Sequence, residues 1–474
     1  MKDIGKWREY ITDDDVMKAT LGATRLFGAA PSIVEPDEPF ALHIVALGAD
    51  GYPDESYRDN VRLETDADVR GLPEVIEFGA DDEGIVRVDG LSAPGEGIVL
   101  IRFSCDRTQV GGACNPIWVK RDPPYRIYWG DLHTHSILGK CGTQTAKSPD
   151  FGYRFGRDVM RLDYAAMADH ARSLDDESWK EVMAAAKRHH EAGEFVTFLG
   201  FEGDYDGPDG GHFNLYYRGD DGDYRNFRVE KGGTLEAVHD FARERGALAV
   251  SHHNGRRIRG RDYSISRWGG LEIEPVVEVY SKWGSSEEWH SHRPVWRGGY
   301  PSDTHYFRYA VAHGYRLGVI GGSDDHSTCP GSYMDMWYPR DAGRRGFYRS
   351  SGLGAILATE LTREALWDAM FHRRCYATAG ERFLVDLRVD GRLMGEEIDS
   401  RRPHIEARVV GPAGIREVVI VKDGQDWHRV DSQGQDCAVE LADDNLDGES
   451  SYYVRAIDQA GDAAWSSPIW VRRE

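Results

Sequence analysis

Apolar positions change their period twice along the chain. Between about residues 30 and 120 they form short runs broken by turns, such as FALHIVALG, GIVRVDG and GIVLIRF. The same texture returns from about 385 to 474, in HIEARVVG, EVVIVKDG and SYYVRAID. Short strands separated by turn signals are typical of β-sandwiches. We therefore expect sandwich-like domains at 1–124 and 384–474, the second similar to immunoglobulin or fibronectin type III domains.

The region 125–383 has a different pattern, in which apolar runs alternate with amphipathic stretches. The helical stretches include DESWKEVMAAAKRHHEAG and LEAVHDFARERG. The candidate strands are RIYWGDLHTH, DYAAMADH, FVTFLGFEGD, ALAVSHH, VVEVYS, RLGVIGGSDDH and GAILATE. Seven strands alternating with helices predict an α/β fold built on a parallel βα barrel.

Residues of metal-binding type close most of these strands. They are His133 and His135, Asp169 and His170, Glu202, His252 and His253, and Asp324 and His326. Each motif alone is weak, because an HxH pair is common by chance and an Asp-His pair often only stabilises a turn. Functional groups of βα barrels gather at the carboxyl ends of the strands, so the whole series favours one shared metal site.

Strand geometry sharpens the set, because side chains two residues apart face the same way. His133 and His135 are expected to point together, and so are Asp324 and His326. Asp131 shares the face of the HxH pair and is a candidate for orienting an imidazole.

Neighbouring residues on a strand point apart, which separates the members of two pairs. One of Asp169 and His170 is expected to be a ligand, and one of His252 and His253, if each strand stays regular.

The mixture of imidazole and carboxylate suits Zn²⁺, Mn²⁺ or Fe²⁺ better than Ca²⁺. Six or seven ligands exceed one tetrahedral site, so we expect two or three divalent ions. Such centres generate hydroxide near neutral pH, which predicts a metal-dependent hydrolase.

Composition limits the number of domains, the class of partner and the location to be expected. The 474 residues suit two to four domains, and a formal net charge of −22 argues against nucleic-acid binding. The sequence has no membrane-spanning apolar stretch, and its first residues lack the apolar core of a signal peptide. The six cysteines include no CxxC pair and are expected to be reduced. We expect a cytoplasmic protein with a small-molecule substrate; the pattern does not indicate an oligomeric state.

The motifs DLHTH, MADH, FEGD, SHH and GGSDDH, in this order, resemble those of the PHP (polymerase and histidinol phosphatase) superfamily. The resemblance implies a distorted seven-stranded barrel with a two- or three-metal centre, usually serving phosphoester hydrolysis. It places the ligands at His133, His135, His170, Glu202, His252, Asp324 and His326.

Two positions depart from that family's pattern. Cys141 stands where many members carry a histidine or aspartate, so either a thiolate binds a soft ion or one metal is lost. Another family histidine usually follows the fifth strand, where this sequence offers Glu278, His290 or His292.

A narrower resemblance leaves the substrate open. GDLHTHS, VEVYSKWGSSE and RRCYATAG are similar to a bacterial branch of PHP proteins with flanking β-domains. That branch is related to metallohydrolases resembling carbaryl hydrolase, which cleave carbamate esters. A phosphoesterase should have an arginine- or lysine-lined mouth, whereas hydrolysis of a carboxylic, carbamic or amide-like bond favours an aromatic pocket.

Four further residues are candidates for catalysis or binding. His212 and His253 are candidate proton donors, and Arg256 and Arg257 are candidates for holding an anionic substrate group. The alternatives are a core histidine at 212 and a solvated basic loop. A third hypothesis, a non-catalytic binding protein, is suggested by the two sandwiches, but binding alone does not need a multimetal centre.

Overall fold

The computed structural model describes residues 22–48, 50–141, 146–204, 211–228, 234–257, 260–295, 299–332 and 351–474. Within these residues the fold is mixed α/β and consists mostly of sheet. No described helix is both long and apolar enough to cross a membrane.

The first ten strands form two sheets that share one apolar core. The strands are β1 (Ala23–Ala29), β2 (Ile33–Val34), β3 (Phe40–Gly48), β4 (Asn60–Glu64), β5 (Val75–Glu77), β6 (Ile85–Leu91), β7 (Gly97–Val99), β8 (Arg102–Ser104), β9 (Gly111–Cys114) and β10 (Ile117–Val119). The larger sheet has the order β5-β4-β8-β9-β1-β3-β6, and the smaller has the order β2-β10-β7. Apolar side chains of both sheets pack in a single cluster, as the alternating pattern of the sequence requires.

In the described residues, the central region contains ten strands and five α-helices. The strands are β11 (Arg126–Thr134), β12 (Tyr164–Met167), β13 (Val196–Asp204), β14 (His212–Tyr217), β15 (Leu248–His252), β16 (Val276–Ser281), β17 (Gly284–Ser285), β18 (Gly318–Gly321), β19 (Leu353–Ala358) and β20 (Cys375–Thr378). The helices are α1 (Pro149–Arg154), α2 (Asp176–His189), α3 (Leu235–Arg245), α4 (Phe307–Ala312) and α5 (Arg363–Phe371). Asp175, Thr234 and Thr362 cap α2, α3 and α5 by accepting backbone N–H bonds.

The central sheet departs from the predicted parallel series. Pairs β11–β12, β12–β13, β15–β16 and β16–β18 are parallel, but β14 lies antiparallel between β13 and β15, and β19 is antiparallel to β11. The cause is the connection between β13 and β14, which is too short for a crossover helix. The uniform βα barrel was therefore wrong in this part, and the strand HFNLYY was missed.

The sheet curls so that the segment after β18 lies beside the end of β11. Beyond β18, Asp325 forms a parallel bridge with Thr134. The backbone N–H of His135 donates to the carbonyl of Asp325 at 2.7 Å. The curl brings the end of β11 and the segment after β18 to one place.

The last ten strands continue the central sheet as well as forming a separate one. They are β21 (Leu384–Val389), β22 (Arg392–Leu393), β23 (Glu397–Asp399), β24 (His404–Val410), β25 (Ile415–Lys422), β26 (Gln425–Asp431), β27 (Asp436–Ala442), β28 (Glu449–Asp458), β29 (Ala463–Ser466) and β30 (Ile469–Arg472). Strand β29 pairs with β20, whereas β22-β21-β24-β27 form a four-stranded sheet. The domain limits at 124 and 384 stay predictions.

Candidate metal centre

The HxH pair lies where β11 ends. Both imidazoles are fully buried, and they face the same carboxylate, as two-residue alternation predicts. Asp324 Oδ1 lies 3.6 Å from His133 Nε2 and 3.2 Å from His135 Nε2. These three side chains form one group of candidate ligands.

Asp131 has a different role from the one predicted. Its carboxylate accepts backbone N–H bonds from His133 at 3.0 Å, Ser323 at 2.9 Å and Gly331 at 2.9 Å. It therefore joins the chain segments that carry candidate ligands and does not orient an imidazole. Its pKa is raised by burial to about 6, despite these donors.

Glu202 lies at the middle of the centre, near the end of β13. Its Oε2 lies 2.5 Å from His170 Nδ1 and 3.4 Å from His135 Nε2. Its Oε1 lies 3.3 Å from His252 Nε2 and also contacts His212 Nδ1. Each carboxylate oxygen thus faces two imidazoles.

The segment after β18 places Asp324 by leaving the strand conformation. Asp324 has a φ of +51°, which is costly for a residue with a side chain and is held by its surroundings. The carboxylate of Asp325 accepts the backbone N–H groups of Ser327 and Cys329, both at 2.8 Å. This loop also carries His326, whose Nδ1 lies 3.4 Å from Asp324 Oδ1.

The adjacent pairs behave differently. Asp169 turns away to accept hydrogen bonds from the backbone and hydroxyl of Ser136 at 2.7 and 2.6 Å, and its neighbour His170 faces Glu202. His252 and His253 both join Glu202 and are buried. The condition for separating this second pair, a regular strand, is not met, because His253 takes a φ of +36° and ends the regular alternation.

Three groups of side chains result, two of which share His135, and every member except the half-buried Cys141 is buried. They are His133, His135 and Asp324; Glu202, His212, His252 and His253; and His135, Cys141, His170 and His326. The predicted ligands and the two candidate catalytic histidines are thus brought together.

Glu278 is the fifth-strand alternative that lies in the centre. His133 Nδ1 donates to Glu278 Oε2 at 2.9 Å. Gly322 permits this approach, because a Cβ there would come within 2.8 Å of the Cβ of His133. His290 and His292 are exposed, and His292 contacts the carbonyl of Gly461.

The pKa values of the buried histidines depend on burial and on the charged groups beside them. Burial opposes protonation of His133, but Asp324 and Glu278 outweigh it and raise its pKa to about 10. Burial likewise opposes protonation of His170, and Glu202 raises its pKa to about 10. Burial, reinforced by His170, lowers the pKa of His135 to about 3. The carboxylates therefore attract positive charge into the centre.

The donor set fits divalent ions of the zinc type. Two ligands about 2.0–2.1 Å from a tetrahedral zinc ion lie roughly 3.3–3.4 Å apart. The separations of His135 Nε2 from Asp324 and Glu202, 3.2 and 3.4 Å, agree with that spacing. Among the described residues, His133 Nε2, His252 Nδ1 and Glu278 Oε1 are buried without a hydrogen-bond partner, which an ion or an ordered water would supply.

Cationic side chains adjoin the cluster. The ammonium of Lys282, a residue 5% exposed, lies 3.2 Å from His326 Nδ1. Arg172 Nη1 lies 3.1 Å from His170 Nδ1. The Arg256 guanidinium lies 4.9 Å from the ring of Trp283, whereas Arg257 is exposed. Sequence reasoning missed Lys282, although its place directly after β16 was a usable signal.

Arg261, another basic residue after the SHH motif, is not available to a substrate. It is fully buried and forms an ion pair with Glu274. Arg259 lies outside the described residues.

Replacement of Cys141 by serine should cost one equivalent of bound metal. Cys141 shares a group with His135, His170 and His326, and sulfur is a donor that favours Zn²⁺ or Fe²⁺ over Mn²⁺. Elemental analysis of both proteins after equal loading measures the effect. Unchanged stoichiometry and unchanged metal preference would exclude an essential thiolate ligand.

The sequence is similar to proteins that are described as uncharacterized or of unknown function. Residues 339–407 match a family described as a protein of unknown function (DUF3604). An uncharacterized protein of Chlamydia pneumoniae is 27% identical over 419 residues, which are 82% of this chain and 64% of that protein. An uncharacterized protein of Chlamydia muridarum is 30% identical over 225 residues, or 42% of this chain and 35% of that protein. The chain thus spans less than two thirds of these relatives.

Among solved structures, a two-domain protein from Bacteroides vulgatus is similar to this chain. It is described as containing a predicted PHP-like metal-dependent phosphoesterase. The likeness has 13% identity and a TM-score of 0.38, and covers 71% of this chain and 92% of that one.

Proposed function

We propose that the protein is a multinuclear metal-dependent hydrolase that acts on an anionic ester, and that this ester is a phosphoester. The observation that carries the proposal is the convergence of three groups of histidines and carboxylates, nearly all of them buried, at one end of the central sheet, where His135 belongs to two groups and contacts Glu202 of the third. A structural core gains nothing from so many buried ionisable groups, which are costly to desolvate. Two or three Zn²⁺, Mn²⁺ or Fe²⁺ ions held there would make water nucleophilic near neutral pH and polarise an ester.

The residues around the centre support an anionic substrate. Lys282 and Arg172 each approach a candidate histidine ligand, so positive side chains flank the His170 and His326 side of the cluster. Arg256 lies near enough to contribute to the low pKa of His253, after burial and His252. Hydrogen bonds from such groups to phosphate or carboxylate oxygens are charge-assisted and strong.

A second candidate reaction is hydrolysis of a carboxylic, carbamic or amide-like bond. Trp283 favours it, because this side chain lies with its ring centroid 6.2 Å from that of His326 and gives the centre an aromatic wall. An uncharged ester would pack against such a wall and would need less of the cationic flank.

Elemental analysis followed by a substrate screen tests the proposal. The full chain is expressed with manganese, iron and zinc supplied, analysed for bound metal, and assayed on phosphomonoesters, phosphodiesters, carboxylic esters and carbamates. At least two equivalents of metal with chelator-sensitive phosphoester turnover is the expected result. Turnover of carbamates alone would favour the second candidate. Protein without transition metal would overturn both, and a metal-loaded protein inert on every class would favour a binding role.

Replacing Lys282 with methionine should weaken anion binding without removing metal. A hydrogen bond to a charged group contributes roughly 1.5–3 kcal/mol, so we expect an inhibition constant for inorganic phosphate about 10- to 100-fold higher. Lys282→Arg, which keeps the charge, should lose less. Phosphate inhibition equal to wild type in the methionine variant would show that Lys282 does not hold the anion.

A further inference from the structure

The antiparallel hairpin of the central sheet brings one histidine to Glu202 that the predicted parallel barrel had no strand to carry. Strand β14 begins at His212, which pairs with Asp204 of β13 on one side and with His252 of β15 on the other. Because β14 runs against its neighbours, its first residue reaches the edge where β13 and β15 end. Topology thus delivers a side chain from the beginning of a strand to the place where strand ends converge.

Strand register also sets the face on which these side chains lie. Glu202 is paired with Asn214, two residues from His212, so Glu202 and His212 are diagonal neighbours on the same face. His212 and His252 are direct cross-strand partners, with ring centroids 5.6 Å apart. Regular strand geometry therefore gathers Glu202, His212 and His252 without any special loop.

The arrangement around Glu202 fits a cation on each side of its carboxylate. Oε2 faces His135 and His170, whereas Oε1 faces His212 and His252. One carboxylate cannot balance four protonated imidazoles in a buried site, and neutral imidazoles present lone pairs that need a partner. A divalent ion beside each oxygen satisfies both conditions.

Buried nitrogens without a hydrogen-bond partner in the same group of side chains also favour a bound cation. This group consists of Glu202, His212, His252 and His253. Each of these side chains is at most 4% exposed, and their candidate donor atoms lie within 4.8 Å of one another. In the described part of the chain, His252 Nδ1 and His253 Nδ1 have no hydrogen-bond partner. The fifth-strand position that could have supplied a ligand is taken by Glu278, which is bonded to His133.

We propose that His212 is a metal ligand and not a proton donor, and that with Glu202 and His252 it holds a cation separate from the one at His133, His135 and Asp324. The inference rests on the proposed function and extends it by naming a ligand supplied by the hairpin strand. His253 is the fourth side chain of the group around this second cation.

Metal stoichiometry and cobalt spectra test this assignment without an assay of activity. Wild type, His212→Ala and His212→Cys are loaded with Co²⁺, dialysed and analysed for metal. We expect His212→Ala to lose one equivalent and keep the remainder. We expect His212→Cys to gain a thiolate-to-cobalt charge-transfer band above any that wild type shows, since a thiolate at this position would bind the ion directly.

His239→Cys is the matched control, because His239 is also a buried histidine but pairs with Glu274, away from the centre. It should keep wild-type stoichiometry and add no band. Full stoichiometry in His212→Ala together with no added band in His212→Cys would overturn the ligand assignment alone. The same holds if His212→Ala loses every ion while His212→Cys adds no band. Wild type without metal would overturn the proposed function as well.

Discussion

Replacing His135 with alanine should weaken metal binding at two positions and abolish turnover. His135 belongs to two of the three ligand groups and contacts both Asp324 and Glu202. We expect loss of at least one equivalent of metal. Activity should fall by well over about 100-fold, the upper effect of losing an outer partner of a metal ligand. Elemental analysis and the rate on the best substrate of the screen measure the two effects.

The fold should survive this change, because removing an imidazole from the end of a strand leaves the apolar core intact. His239→Gln serves as the control for replacing a buried histidine outside the centre and should keep its metal. Near-wild-type turnover or full metal content in His135→Ala would disprove the site assignment.

Replacing Asp131 with alanine should destabilise the protein more than any change to a ligand. The carboxylate accepts backbone N–H bonds from His133, Ser323 and Gly331. Each buried donor left without an acceptor costs about 1–3 kcal/mol, so we expect roughly 3 kcal/mol or more to be lost. Urea unfolding monitored by circular dichroism measures the free energy of unfolding.

Asp131→Asn keeps the shape of the side chain and removes its negative charge. Its amide oxygen can still accept from His133 and Ser323, but its amide nitrogen cannot accept from Gly331, so the loss should be smaller than in alanine. Metal affinity should fall in both variants, because the ligand-bearing ends of β11 and β18 are no longer held together. An alanine variant as stable as wild type would contradict this role.

Local pattern was sufficient to find most of the segments that carry candidate ligands. His133, His170, Glu202, His252 and Asp324 each follow or close an apolar run, and strand ends are where a sheet exposes its side chains to a common site. Two-residue alternation correctly joined His133 with His135. It does not apply to His252 and His253, because His253 has a positive φ, which is set by packing and leaves no trace in the period of the sequence.

The strand that carries His212 could not be assigned in the same way. HFNLYY is buried at all six positions, so it lacks the alternation that marks a half-exposed strand. Its short connection to β13 was the available signal, since a short connection permits only an antiparallel partner.

The sequence by itself determined the mixed α/β class and the imidazoles and carboxylates that stand at the strand ends. Both depend only on residue type and local period. Tertiary structure alone decided that Asp131 holds backbone, that Glu278 and Lys282 lie at the centre, and that Glu202 stands between two groups of histidines. These relations join residues far apart in the chain. They are fixed by the curl of the sheet and the direction of its strands, which no local pattern encodes.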